Sequence, residues 1–114
     1  MRVLVAVIVA GIIAGACAPA GSGLPEVRVV LTDFAFAPKA VEIPAGRKVE
    51  FKLTNSGRVE HDITAEGIGF HVHVMSGERL ALEAGPFEPG EYDIFCSVVG
   101  HREAGMVGKL VVRP

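Results

Sequence analysis

The sequence predicts an all-β fold, a sandwich or barrel of about seven to eight strands, preceded by an N-terminal signal or anchor segment. Short runs rich in Val, Ile and Phe are separated by Gly and Pro, which is typical of strands joined by turns. Within the runs, apolar and polar residues alternate, as Val49, Phe51 and Leu53 do with the Lys and Glu residues between them. We therefore expect strands that each bury one face.

Residues 1–17 are expected to be a signal segment. A short basic start is followed by an uncharged apolar run at residues 3–16, which as a helix would span roughly 21 Å, less than the ~30 Å core of a bilayer. The AGAC motif ending at Cys17 resembles a bacterial lipobox and would make Cys17 a lipid anchor. Residues 18–20 suit ordinary signal cleavage instead, and an uncleaved anchor is the third interpretation. Each of them predicts an exported protein, periplasmic or on the extracellular face of the membrane.

Residues 18–25 have the composition of a flexible linker, and residues 26–114 form the expected domain, about 90 residues with one modest core. Turns containing Gly or Pro separate the strand-like runs of this domain. The predicted strands are residues 27–36, 40–43, 48–55, 61–65, 70–75, 79–84, 91–98 and 106–112.

Charge and cysteine content narrow the possible functions. Without Arg2 the chain has 10 Lys and Arg against 13 Asp and Glu, and no run of basic residues, so nucleic-acid binding is not expected. Cys96 is the single cysteine of the expected domain. Exported domains normally pair their cysteines as disulfides, so an unpaired one suggests another role.

Four residues predict a metal site. Cys96, His101 and Met106 follow a C-x4-H-x4-M spacing between two predicted strands, and His61 begins another strand upstream. Two imidazoles and a thiolate with a weak axial thioether are the ligands of type 1 copper. The soft sulfur donors stabilise cuprous ion and imidazole suits both oxidation states, so one copper ion transferring one electron at a time is the expected chemistry.

Other interpretations of these residues are less favoured. Taken singly, Cys96 would be an inert core residue, His101 a loop histidine and Met106 a core methionine, but their joint spacing argues for a site. A cysteine–histidine hydrolase needs an activated thiolate and an orienting third group, and no helix is predicted beside Cys96, so the chain is not expected to be an enzyme. Zinc is disfavoured because its structural sites use several cysteines and no thioether. A binuclear copper centre would need a second nearby cysteine.

His71 and His73 lie two residues apart on one predicted strand and therefore share a face. We expect them on the solvent side, with the apolar residues of that strand facing the core. Such a pair can also chelate a metal, which leaves a second site open. Together with Met75, the two histidines favour an alternative function, an extracytoplasmic protein that binds and delivers copper.

Several motifs resemble a known family. They are the P-x-x-V-x-I-P-A-G turn at residues 38–46, LTN at 53–55, HD at 61–62, PGEY at 89–92 and the segment 96–108. In these the chain is similar to the cupredoxins, the small blue copper proteins that include plastocyanin-, azurin- and sulfocyanin-like proteins. The resemblance implies a Greek-key β-sandwich and one copper ion, bound by the Nδ1 atoms of His61 and His101, the sulfur of Cys96 and, axially, Met106.

The resemblance also implies roles around the copper. Asp62 stands where the family often has an Asn that ties the first ligand's strand to the cysteine loop. Val99 replaces a common Pro, which would loosen the loop slightly. The exposed edge of His101 is the expected port for electrons. A redox donor and acceptor, such as a cytochrome or an oxidase, are the expected partners of a monomer.

Overall fold

The computed structural model describes residues 21–114, which form nine β-strands in two sheets and one short 3₁₀ helix. The expected signal segment at residues 1–17, the lipid anchor expected at Cys17 and part of the linker lie outside the described residues. Within residues 21–114, no helix has the length and apolar character needed to cross a membrane. The all-β prediction is confirmed for this part of the chain.

The strands follow one another along the chain with one 3₁₀ helix, η1 (Glu66–Ile68), between the fifth and sixth. They are β1 (Glu26–Thr32), β2 (Ala35–Ala37), β3 (Ala40–Pro44), β4 (Val49–Asn55), β5 (His61–Ala65), β6 (Phe70–Val74), β7 (Arg79–Ala84), β8 (Gly90–Phe95) and β9 (Val107–Arg113). One sheet has the order β2-β1-β4-β7 and the other β3-β9-β8-β5-β6. The pairs β1–β4 and β3–β9 are parallel, and the other pairs are antiparallel.

The core consists of the apolar faces of both sheets. In β4 the predicted alternation is present, because Val49, Phe51 and Leu53 are buried while the residues between them are partly exposed. Phe51 packs on Phe70 of the other sheet with ring centroids 5.0 Å apart. Burying a side chain of this size contributes about 1.5–3 kcal/mol. The result is a stiff two-sheet frame, and the predicted metal-binding residues lie at one of its ends.

Two predicted strands differ from the structure by more than one residue at an end. The predicted strand at residues 27–36 is divided into β1 and β2 by a turn at Asp33 and Phe34, which accounts for the ninth strand. The predicted strand at residues 91–98 ends at Phe95, so Cys96 is the first residue of a loop. In both places the strand-like sequence continues beyond the last hydrogen bond of the sheet. The side chains that follow, those of Asp33, Phe34 and Cys96, belong to the candidate metal centre.

Candidate metal centre

The pairing of β5 with β8 brings distant parts of the chain together. Thr64 in β5 lies opposite Phe95 in β8, and the two strands are antiparallel. The start of β5, where His61 lies, is therefore beside the end of β8, where Cys96 follows. The backbone N–H of Asp62 donates to Sγ of Cys96 at 3.3 Å, which fixes the thiol against β5.

Three donor atoms converge at this end of the sheet. Nδ1 of His61 lies 3.0 Å from Nδ1 of His101, and Sγ of Cys96 lies 3.9 Å and 3.4 Å from these two nitrogens. A point equidistant from the three atoms lies about 2.0 Å from each, which matches metal–nitrogen and metal–sulfur bonds of ~2.0–2.3 Å. The three residues thus form a possible metal site with nitrogen and sulfur donors, a set that fits copper.

His61 is held with its Nδ1 lone pair towards that point. Its Nε2 lies 2.7 Å from Oδ1 of Asp33, and because a carboxylate only accepts, Nε2 carries the proton. In the neutral ring Nδ1 is then the acceptor, the form a metal ligand needs. Asp33 also accepts the backbone N–H of Arg58 at 2.9 Å. This N–H, followed by the His61 ring, holds the pKa of the Asp33 carboxyl below its usual range.

Backbone hydrogen bonds close the loop that carries Cys96, His101 and Met106. The N–H of Cys96 donates to the carbonyl of Met106 at 3.1 Å, and the N–H of Met106 donates to the carbonyl of His101 at 3.1 Å. A further bond joins the N–H of His101 to the carbonyl of Val98 at 3.0 Å. The Met106 residue is fully buried and belongs to the hydrophobic core. The loop therefore holds all three residues in one fixed arrangement.

Burial acts on the Cys96 thiol. The residue is completely inaccessible, and desolvation raises the pKa of its thiol above the ordinary value. A cation bound between the two imidazoles would reverse this effect, because a positive charge at bonding distance favours the thiolate. Binding of such a cation would therefore be coupled to loss of the thiol proton.

Asp62 ties β5 to the cysteine loop. It is buried, its Oδ1 accepts the Ser97 N–H and the Thr64 hydroxyl at 2.8 Å each, and its Oδ2 accepts the Ser97 hydroxyl at 2.5 Å. The contact that the family resemblance implied for this position is present, with a carboxylate in place of an amide.

Phe34 covers the outer side of the centre. Its ring centroid lies 4.8 Å from that of His101 and 6.0 Å from that of His61, edge-on in both cases. Phe34 is 42% exposed and Val99, in the cysteine loop, is 96% exposed. Asp33 and Phe34 could not be recognised from the sequence, because both lie inside a predicted strand and their positions give no signal of a site.

His71 and His73 lie on the exposed side of β6, as expected, while Phe70 and Val74 are buried. Nδ1 of His71 lies 2.8 Å from the Thr64 hydroxyl, and Nε2 of His73 lies 2.9 Å from Oε2 of Glu60. Within residues 21–114, His61, Cys96 and His101 are the one group of three or more His, Cys, Asp or Glu donors close enough together to hold a metal ion.

Comparisons with known proteins agree with this fold. The sequence matches the cupredoxin-like domain over residues 3–112. It is 32% identical over 116 residues to plastocyanin of Prochlorothrix hollandica, covering 93% of this chain and 86% of that protein. It is also 32% identical over 108 residues to the copper-resistant cuproprotein CopI of Rubrivivax gelatinosus, covering 76% of this chain and 66% of CopI.

The fold is also similar to a solved structure, that of dithionite-reduced auracyanin from the photosynthetic bacterium Roseiflexus castenholzii. The TM-score is 0.67 at 16% sequence identity, and the match covers 82% of this chain and all of the auracyanin chain. At that identity the likeness concerns the fold alone.

Proposed function

This chain belongs to the cupredoxin family, and we propose that it is a mononuclear type 1 copper protein that carries one electron at a time between extracytoplasmic redox partners. The main support for this proposal is the triangle formed by Nδ1 of His61, Nδ1 of His101 and Sγ of Cys96, which surrounds a point about 2.0 Å from each atom. Cupredoxins bind copper, and two imidazoles with one thiolate are the equatorial ligands of type 1 copper.

The proposed ligands are His61, Cys96, His101 and Met106. The first three supply the donors that converge, and the buried Met106 is the proposed weak axial ligand. Its backbone bonds to Cys96 and His101 support this assignment because they fix the end of the loop beside the other ligands. Bound copper would accept one electron as cupric ion and release it as cuprous ion, without proton or atom transfer.

The protein makes the proposed copper site rigid, excludes water from its inner side and leaves one ligand partly exposed. β5, β8 and the hydrogen-bonded loop hold the donors in place, so little has to move when the charge of the centre changes. Burial of His61, Cys96 and Met106 excludes water from the inner side. His101 is partly exposed, and we propose its outer edge as the port through which electrons enter and leave.

The proposed partners are a redox donor and a redox acceptor, such as a cytochrome or an oxidase. Phe34 and Val99 place exposed apolar groups beside His101, and small apolar surfaces suit brief encounters that bury little area. We further propose that the protein acts as an exported monomer without an enzymatic activity of its own. Cys17 is the proposed lipid anchor, and residues 1–17 are the proposed signal segment.

The direct test is electron transfer in stopped flow. Cupric protein is mixed with a reduced c-type cytochrome, and the oxidation of the haem is followed at increasing protein concentration. We expect one haem oxidised per copper and a rate that rises with concentration. A copper-loaded protein that takes up no electron from any of several cytochromes, or that loses its copper on reduction, would contradict the proposal.

A second candidate function, copper binding and delivery, is favoured by the similarity to CopI, which is described as a copper-resistant cuproprotein. The exposed His71, His73 and Met75 on one strand and its end would serve as entry ligands. The discriminating measurement compares the rate of copper loss to a cuprous chelator with the rate of electron transfer. Rapid loss that slows in a His71→Ala/His73→Ala variant, but not in an Arg79→Ala control, would favour delivery.

A further inference from the structure

The Asp33 carboxylate contacts the outer side of the His61 ring. Oδ1 lies 2.7 Å from Nε2 of His61, and Oδ2 accepts the backbone N–H of Arg58 at 2.9 Å. Both carboxylate oxygens are therefore engaged, which fixes the side chain in the turn between β1 and β2. The Asp33 side chain is 26% exposed, whereas that of His61 is completely buried. The ring between the negative charge and the centre is therefore shielded from solvent.

Gly57 provides the space for this contact. A Cβ atom at this position would collide with Oδ1 of Asp33 and would lie 2.9 Å from Nε2 of His61. Gly57 does not have a positive φ, so its backbone conformation is open to other residues. Position 57 therefore requires glycine because a side chain would collide with the carboxylate, and not because of the backbone conformation. The glycine allows the Asp33 carboxylate to contact the His61 ring.

We propose that Asp33 is a positioning residue that sets the redox equilibrium of the centre through His61, an inference that rests on the copper function proposed above. A carboxylate bonded to the outer nitrogen of a ligating imidazole fixes its tautomer and makes the inner nitrogen a stronger donor. The oxidised centre carries one more positive charge than the reduced centre. A fixed anion at this distance therefore stabilises the oxidised state and lowers the reduction potential.

A purely structural role for Asp33 makes a different prediction. If the side chain only held the turn by accepting the Arg58 N–H, an asparagine would serve in its place with no effect on the redox equilibrium. Asp33→Asn keeps an acceptor oxygen for Nε2–H of His61 and removes the charge. This substitution therefore separates the electrostatic role from the structural one.

The experiment is a redox titration of the copper-loaded protein and its variants, followed by visible absorption. The oxidised-to-reduced ratio at a given potential should fall about tenfold in Asp33→Asn, a rise in potential of about 59 mV for one electron. Glu42→Gln is the matched control, because it also removes one negative charge. Glu42 forms an ion pair with Arg113 and lies opposite Val111 in β9. This position is towards the end of the sheet away from the metal centre, so its charge is screened from the centre.

A second variant tests the geometry. Gly57→Ala should displace the Asp33 carboxylate and raise the potential in the same direction, while the protein keeps its visible absorption. Equal potentials for wild type, Asp33→Asn and Glu42→Gln would overturn the proposal, as would equal shifts in the two charge variants. A wild-type protein without thiolate-to-copper absorption would instead contradict the copper function itself.

The positioning role also has a readout that needs no metal. In the metal-free protein, nitrogen NMR of the His61 ring should show the proton on Nε2, and Asp33→Ala should shift the ring towards a mixture of the two tautomers. An unchanged tautomer in Asp33→Ala would show that Asp33 does not orient the ring. This measurement decides the role of Asp33 even if copper binding fails.

Discussion

The two histidines of the candidate metal centre are held in different ways. His61 begins a strand, is completely buried and has its outer nitrogen bonded to Asp33. His101 lies in a loop, is partly exposed and has its ring against Phe34. On the sheet side of the centre, His61 is thus held by a fixed charge and hydrogen bonds. On the loop side, His101 has an apolar contact and an exposed edge. The difference suggests that the sheet side tunes the centre while the loop side connects it to partners.

The two sides are joined by one buried carboxylate. Asp62 follows His61 in β5 and accepts three hydrogen bonds, two of them from Ser97 in the loop. The Cys96 sulfur, between the two histidines, receives its N–H bond from the same residue, Asp62. Changes at Cys96 or Asp62 should therefore affect both sides, whereas changes at Met106 or Val99 should affect one property each.

The largest effect is expected at the residue shared by both sides. Cys96→Ser should abolish the intense visible absorption completely, because that absorption requires a copper–thiolate bond. Copper affinity should fall by at least about 100-fold, since even partners of ligands contribute 10–100-fold. Absorption spectra and competition with a chelator measure the two effects. Ser97→Ala is the control and should remain coloured; a coloured Cys96→Ser protein would disprove thiolate ligation.

The next largest effect is expected at Asp62, the buried carboxylate that joins β5 to the loop of Cys96. Asp62→Ala should lower the free energy of unfolding of the metal-free protein by about 3 kcal/mol, because three donors lose their acceptor. Asp62→Asn, which keeps one acceptor oxygen, should cost about 1 kcal/mol. Urea denaturation gives both values. Equal stability of wild type and Asp62→Ala would mean that the loop is held by its own backbone bonds.

Met106→Gln should change one property of the centre. The axial ligand tunes the potential of type 1 copper, so an amide oxygen should lower it by about 59 mV or more while copper stays bound. Redox titration with copper analysis provides the measurement. Met75→Gln, at an exposed methionine, is the matched control and should leave the potential unchanged. Loss of copper from Met106→Gln would show that Met106 is needed for binding itself.

The smallest effect on the folded protein is expected at Val99. Because this residue is 96% exposed, Val99→Asp should change the free energy of unfolding by less than about 0.5 kcal/mol. Its spectrum and potential should match those of wild type. Electron transfer from a reduced cytochrome should nevertheless slow severalfold if docking takes place beside His101. An unchanged rate would place the docking surface elsewhere.

Much of the fold could be predicted from the sequence, because alternation and turn residues mark most strands directly. The strands β5 (His61–Ala65) and β7 (Arg79–Ala84) have the predicted bounds. The turn at Asp33 and Phe34 was not predicted, since no Gly or Pro marks it within the run of residues 27–36. Sequence patterns report which face of a strand is apolar, but they do not report where a ladder of hydrogen bonds stops.

The candidate site could be predicted in part for a similar reason. Cys96, His101 and Met106 are spaced within one loop, so local sequence indicates their proximity, and the convergence of His61 with Cys96 follows from strand pairing. Asp33 and Gly57 could not be found in this way. Their part in the site depends on a contact between two turns that are distant in the chain, and no local spacing encodes it.

The most direct test of type 1 copper binding is a copper titration of the metal-free protein, followed by visible absorption and electron paramagnetic resonance. Type 1 binding predicts an intense band at roughly 600 nm that stops growing at one copper ion per chain, with the narrow copper hyperfine splitting of a thiolate-bound site. A protein that binds copper but stays colourless, or whose signal is that of copper bound only by nitrogen and oxygen, would contradict it.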